Sequence, residues 1–403
     1  MGIKLTKRVS GIAESATLAI SAKAKKMKAD GRDVVNFGVG EPDFNTPDYI
    51  INAAVKAMKE GRTKYTPASG IAELKQAVAE DTERSLGIRF LPEQVVIGAG
   101  AKQPLYNAIA AIAEEGDEVI VPSPYWVTYP ELVKYCGAKC VFVETKPENG
   151  YKMTADELAN AITPRTRALI FNSPCNPTGA VYSEEEVMAI AKVLGEHENI
   201  AIISDEIYKN LVYGENGHYS VAMVNEDMKN RTIIVDGMSK TYAMTGWRLG
   251  WAIAPVEIAK VMTRAQSHMT SNVNSIAQYA SLAALTDRAN AEKFISEMKG
   301  VFAERRIAAM NALDEEGLNY IKPDGAFYVL VDVSPVFGRK TRSGNVVNDS
   351  ADFANELLTD YGVAVVPGSA FGADDYVRIS YALDASSIKK GIRKLGEFVK
   401  ECR

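Results

Sequence analysis

Ser239-Lys240-Thr241-Tyr242-Ala243-Met244-Thr245-Gly246-Trp247-Arg248-Leu249-Gly250 is the stretch on which the reading of this chain turns. A short apolar run, residues 232–235, leads into it, and another, residues 250–254, leads out. Both have the length of buried strands, and the first is β-branched throughout. A lysine after a strand is usually a solvated surface residue. Here an arginine stands eight positions further on, flanked by a tryptophan and glycines.

Outward from this segment the same pattern recurs. Residues 94–98, 118–121, 168–171 and 201–203 read as strands, and residues 102–115 and 184–194 as helices. In the first helix Leu105, Ala108, Ile109 and Ile112 share one face. Continuous apolar strands alternating with helices need cover on both faces, which implies an α/β fold with a mostly parallel central sheet. The last third differs. Residues 291–316 read as a long helix, residues 327–332, 363–366 and 377–380 as strands, and residues 386–400 as a closing helix. The expected organisation is a large domain over residues 46–290 and a small α+β domain formed by both chain ends, residues 1–45 and 291–403.

In an open α/β sheet ligands bind beyond the carboxyl ends of the strands. Asn172, Ser204, Asp205 and the segment 236–240 all fall there. The turn Gly98-Ala99-Gly100-Ala101-Lys102 joins a strand to a helix. Its small residues and free N–H groups suit a phosphate, although alone it reads equally as a plain tight turn.

Composition narrows the function classes. With 403 residues, the chain is too long for one ordinary core. A net charge of −5 argues against a nucleic-acid partner. No run is long enough to span a membrane. The charged start lacks an apolar leader, and Met1-Gly2 with Thr6 reads as an ordinary N-terminus rather than a lipidation signal. Cys136, Cys140, Cys175 and Cys402 are too scattered for a disulfide framework, so a reducing cytoplasm is expected. His197, His218 and His268 show no metal-ligand spacing. No metal is expected, and acid–base chemistry is not expected to rest on histidine.

The segment 239–250 resembles the lysine motif of fold-type I aminotransferases. The resemblance extends in order through Gly38-Val39-Gly40-Glu41-Pro42-Asp43-Phe44, Lys64-Tyr65 with Gly70, Ser123-Pro124-Tyr125-Trp126, Asn176-Pro177-Thr178-Gly179, Ser204-Asp205-Glu206-Ile207-Tyr208, Gly325-Ala326-Phe327-Tyr328 and Val377-Arg378-Ile379-Ser380. Within that family it is nearest to the bacterial aspartate aminotransferase group. It implies pyridoxal 5′-phosphate bound as a Schiff base to Lys240, whose freed amine then moves the substrate α-proton. Asp205 is implied at the pyridine nitrogen, Tyr208 and Asn176 at the phenolic oxygen, and Trp126 on the ring face. The phosphate is implied on the N–H groups of Gly100, Ala101 and Lys102, with Arg248 beside it. Arg378 is implied as the fork for the substrate α-carboxylate, with Gly40, Trp126 and Asn176 bordering the substrate and Phe327 nearby. Tyr65 would come from the second subunit of a homodimer with shared active sites.

Two departures bear on function. Gly237 stands three residues before Lys240, where many relatives carry a hydroxyl for the phosphate. Ala13 stands two residues before Ser15-Ala16-Thr17, where some bacterial relatives carry a lysine for the substrate side chain. The expected activity is ping-pong amino transfer, with aspartate as first donor and 2-oxoglutarate as acceptor. Aromatic or other neutral donors remain open, as does a β-elimination lyase on the same fold. A pyridoxal-binding DNA regulator would need a helix-turn-helix module, for which the stretch before the substrate loop is too short.

Overall fold

The structure is a computed structural model describing residues 3–214 and 217–402. Met1 and Gly2 of the N-terminal pattern therefore lie outside the described residues. The run Thr232–Gly237 is buried at every position. An element with no wet face must sit inside a layered fold, and it does: it is a central strand of seven. Their order is Val95–Gly98, Gly250–Ile253, Thr232–Gly237, Ala201–Asp205, Thr166–Asn172, Glu118–Ser123 and Lys139–Glu144. Gly250–Ile253 runs antiparallel to both its neighbours, and the other pairs are parallel. The expected α/β class with a mostly parallel sheet is therefore observed.

Helices cover both faces. Glu184–Gly195 begins with a capping box, in which Ser183 accepts from the Glu186 N–H while the Glu186 carboxylate accepts from the Ser183 N–H. The long helix Arg288–Glu316 starts at Asp287, whose side chain accepts from Asn290, and stops at Gly317, which takes the left-handed turn at φ 70°. The predicted helix over residues 102–115 ends at Ile112, because Ala113 is already extended.

A four-stranded antiparallel sheet follows, in the order Val366–Pro367, Tyr376–Ser380, Tyr328–Asp332 and Tyr320–Ile321. Phe302, Phe327, Val329, Phe353 and Phe398 belong to its core. The predicted strand over residues 363–366 divides in two. Val363–Ala364 pairs in parallel with Val35–Asn36, while Val366–Pro367 joins the four-stranded sheet. Every residue from Val363 to Val366 is buried, so no alternation marked the change of partner. Lys139–Glu144 was not anticipated. It is an edge strand with Lys139 and Phe142 exposed, which weakens the apolar signal.

Candidate active site

The carboxyl ends of three neighbouring parallel strands bring Asn172, Asp205 and the turn after Gly237 to one edge. The Arg378 strand approaches from the small sheet, and the loop at residues 38–41 comes in behind Phe37, whose carbonyl accepts from the Ser380 N–H at 3.0 Å. Between them lies a cavity of about 410 Å³. Gly40, Ala101, Lys102, Trp126, Asn176, Asp205, Tyr208, Lys240, Arg248 and Arg378 all line it. Gly100 lies just behind the wall, and Tyr65 does not reach the cavity of its own chain, standing 91% exposed.

Lys240 sits on the short helix Met238–Thr241, and its ammonium donates to the Gly40 carbonyl. Burial, reinforced by Arg378 and Arg248, brings its amine down to about 8, against the opposing pull of Glu41 and Asp205. An amine so placed keeps a reactive neutral fraction near neutrality. Asp205 is buried. Its Oδ2 accepts from the Tyr129 hydroxyl at 2.7 Å and its Oδ1 from the Ile207 N–H at 3.3 Å. Burial pushes its carboxyl up to about 6, with Asp236 and Glu206 adding to that rise.

Arg378 is 2% exposed. It donates to the Asn176 side-chain oxygen at 3.0 Å and the Gly38 carbonyl at 3.2 Å, while its Nε is buried without an acceptor. The faces of Tyr328 and Phe371 lie 4.3 and 5.0 Å from the guanidinium carbon. Such contacts contribute roughly 2 kcal/mol when desolvated, less than the several kcal/mol needed to bury an ion. No carboxylate pairs with Arg378 among the described residues, so the wall holds a cation that an incoming carboxylate would complete.

The Arg248 end of the cavity is shaped by glycine. A Cβ on Gly100, itself at φ 68°, would fall 2.4 Å from the Arg248 guanidinium. One on Gly250 would fall 2.4 Å from the Ala101 nitrogen. The turn, the helix start at Lys102 and Arg248 can thus close into one anion cradle. Arg248 itself is held in the left-handed region at φ 55°, a local strain of about 1–3 kcal/mol of the kind found at ligand clamps. The missing hydroxyl at Gly237 has a steric reason. A Cβ there would lie 2.7 Å from the Gly250 Cα, so the close crossing of two strands admits no side chain. Ser239 does line the cavity.

Several residues escaped the sequence reading. Tyr129 reaches Asp205 across the sheet edge. Tyr328 shares a 2.9 Å hydrogen bond with Tyr208. Thr17, Leu18, Ser21 and Lys25, from the helix Ala16–Ala29, border the cavity mouth together with Glu41, which accepts from Thr245 at 2.7 Å. Tyr328, Glu41 and Thr17 stood within quoted motifs without a role of their own, and the others carried no local signal. Ala13, by contrast, stands outside the cavity, its N–H donating to Glu131 at 3.0 Å.

The observations fit pyridoxal phosphate: a cradle for a dianion, a buried carboxylate facing the cavity, a depressed lysine amine and an uncompensated arginine. Comparison with known proteins agrees. Residues 32–395 match the aminotransferase class I and II family. The chain is 45% identical over 401 residues to an aspartate aminotransferase of Bacillus subtilis, covering 99% of this chain and 100% of that one. It is 43% identical to an aspartate/prephenate aminotransferase of Cereibacter sphaeroides, covering 98% of each. Among solved structures, an aspartate aminotransferase from Thermus thermophilus with maleate superposes with a TM-score of 0.93 at 41% identity, over 98% of this chain and 100% of that one. With its lysine, its anion cradle and its buried arginine on one cavity, the chain belongs to the class I and II aminotransferases, enzymes that depend on pyridoxal phosphate.

Proposed function

We propose that this aminotransferase takes its amino group from L-aspartate and passes it to 2-oxoglutarate in a ping-pong cycle. The carrying observation is Arg378, a buried guanidinium with no carboxylate partner among the described residues, facing the same cavity as the Lys240 amine. Bound pyridoxal phosphate supplies an electron sink for negative charge at the substrate α-carbon. Arg378, steadied by Asn176, grips the α-carboxylate and orients the Cα–H bond toward Lys240. Lys240 would anchor the cofactor, and its free amine would take and return the α-proton as general base and acid. Asp205 would hold a proton on the ring nitrogen by its opposite charge. Tyr208 and Asn176 would donate to the phenolic oxygen, and Trp126 would cover the ring. Gly100, Ala101, Lys102 and Arg248 hold the phosphate.

The side-chain carboxylate needs a cation of its own. Arg378, Arg248 and Lys240 have other tasks, which leaves Lys102 and Lys25 on the cavity wall. Lys102 lies 4.9 Å over the Trp126 ring, inside the cavity, and is the better placed. A carboxylate there is consistent with the maleate, a dicarboxylate, named with the Thermus structure. Lys102→Met is expected to raise KM for aspartate roughly tenfold, the value of one charge-assisted hydrogen bond, and to leave KM for a neutral donor nearly unchanged. Steady-state kinetics with both donors measures this; an equal rise would assign the ammonium to the phosphate instead.

Tyr65, exposed in one chain, completes the phosphate site of a second copy in a homodimer. The division into residues 46–290 and the two chain ends is supported by the pairing of Val35–Asn36 with Val363–Ala364. No helix among the described residues is long and apolar enough to cross a membrane. The four cysteines are free, which supports a cytoplasmic enzyme.

The test is the visible absorption of the holoenzyme after L-aspartate is added alone. Loss of the cofactor's band, and its return with 2-oxoglutarate, is the expected result. A response only to aromatic or other neutral amino acids would replace the donor. Release of ammonia and pyruvate without a 2-oxo acid would replace the reaction with β-elimination.

A further inference from the structure

Asp205 is only 4% exposed, and no cation hydrogen-bonds to its carboxylate among the described residues. The groups facing it come from several elements. Tyr129 belongs to the helix Thr128–Tyr135, Cys175 to the loop after the neighbouring strand, and Glu206 and Tyr208 follow Asp205 itself. Asp236 comes from the next strand, and Lys240 from the turn beyond. Burial keeps Cys175 and Tyr208 neutral by raising both. Asp236 is answered by Lys209 at 2.8 Å, and Glu206 by His218 at 2.9 Å together with Ser204 and Ser220. Each neighbouring carboxylate thus has its own partner, and Asp205 has Tyr129.

Tyr129 is 2% exposed, and its hydroxyl donates to Oδ2 of Asp205. Its ring stands edge-on to Trp126 at 5.4 Å and 85°. One side chain therefore touches both the carboxylate assigned to the cofactor's ring nitrogen and the indole assigned to the ring face. Burial and the adjacent Asp205 hold the Tyr129 phenol well above its ordinary range, so it stays a donor throughout the working pH range.

We propose that Tyr129 is a positioning residue for amino transfer: its hydroxyl keeps Asp205 ionised and fixes which carboxylate oxygen remains for the ring nitrogen, while its ring edge sets Trp126 over the same cofactor. This rests on the reading of Asp205 as the ring-nitrogen partner. A hydrogen bond to a buried charge is strong because little solvent competes for it. Asp205, pushed up by burial, is ionised above about 6 and loses its charge as pH falls through that value. Tyr129 opposes the rise, so removing its hydroxyl moves the loss of charge to higher pH.

The experiment is Tyr129→Phe, which keeps the ring and removes the donor. Infrared difference titration of the cofactor-free protein, with the band assigned by its absence in Asp205→Asn, reads the carboxyl directly. The titration is expected to move up by about one to two pH units, the shift expected for one hydrogen bond to a charged group. In the holoenzyme the acid limb of kcat should follow it, with KM for the amino donor little changed. Tyr129→His retains a donor and should return both readouts toward the parent; it also serves if the phenylalanine variant is unstable. An unmoved carboxyl titration in Tyr129→Phe, or in Tyr129→His no difference from Tyr129→Phe, overturns the proposal. Failure of the underlying reading looks different: Asp205→Asn would then leave turnover and cofactor absorption intact.

Discussion

Lys240→Ala is expected to lower kcat by about 10⁴-fold or more, the upper range for loss of a positioned general acid–base group together with a covalent anchor. Among the described residues, no second side chain stands in for Lys240 at the proton. The only histidines of the chain are His197, His218 and His268, none of which lines the cavity, and His218 is committed to Glu206. Lys102 reaches the same space but leans on Trp126, where it is assigned to the substrate's side-chain carboxylate. The cradle of Gly100, Ala101 and Arg248 does not involve the Lys240 side chain, so pyridoxal phosphate should still bind, now without covalent attachment. Equilibrium dialysis of the cofactor alongside steady-state turnover separates the two effects. Turnover near the parent level would defeat the assignment, whereas loss of both binding and turnover would give Lys240 an anchoring role only.

Much of this site was legible because its residues sit at ends of strands that announce themselves. Asp205 and Asn172 close runs of buried aliphatic residues, and a parallel sheet must bring such ends to one edge. The motif around Lys240 supplied what periodicity alone could not, the identity of the ligand. Contacts that cross elements were not legible. Tyr129 lies on a short helix 76 residues from Asp205, and nothing local marks its hydroxyl as directed inward. The helix Ala16–Ala29 borders the cavity with Thr17, Ser21 and Lys25, although its own pattern is mostly exposed. Its position follows from packing of Ala24 against Leu358 and Ala364 near the other chain end, a long-range fact. Gly237 is the instructive intermediate case. The departure from the family pattern was visible, but its cause, a backbone crossing at Gly250, was not.

Arg378→Leu is expected to cut kcat/KM by about 100- to 1,000-fold for every donor and every 2-oxo acid alike. Truncating one partner of a buried, hydrogen-bonded charge pair costs about 2–5 kcal/mol, and each 1.4 kcal/mol is a factor of ten. The loss should be uniform because the α-carboxylate is common to all the substrates; a loss confined to aspartate would instead make Arg378 the side-chain site. Arg378→Lys separates charge from shape. It keeps the cation but gives up the two-pronged geometry that now spans the Asn176 oxygen and the Gly38 carbonyl, and with it the flat stacking on Tyr328 and Phe371. A compact ammonium cannot reproduce that fork, so this variant should still lose about tenfold or more. Cofactor binding should persist in both variants, since neither removes a group from the phosphate cradle or the Asp205 side. The two substitutions together ask whether the wall was built for a charge or for a carboxylate, and the buried Nε without an acceptor argues for the second: it is a donor held dry, beside the space the substrate fills.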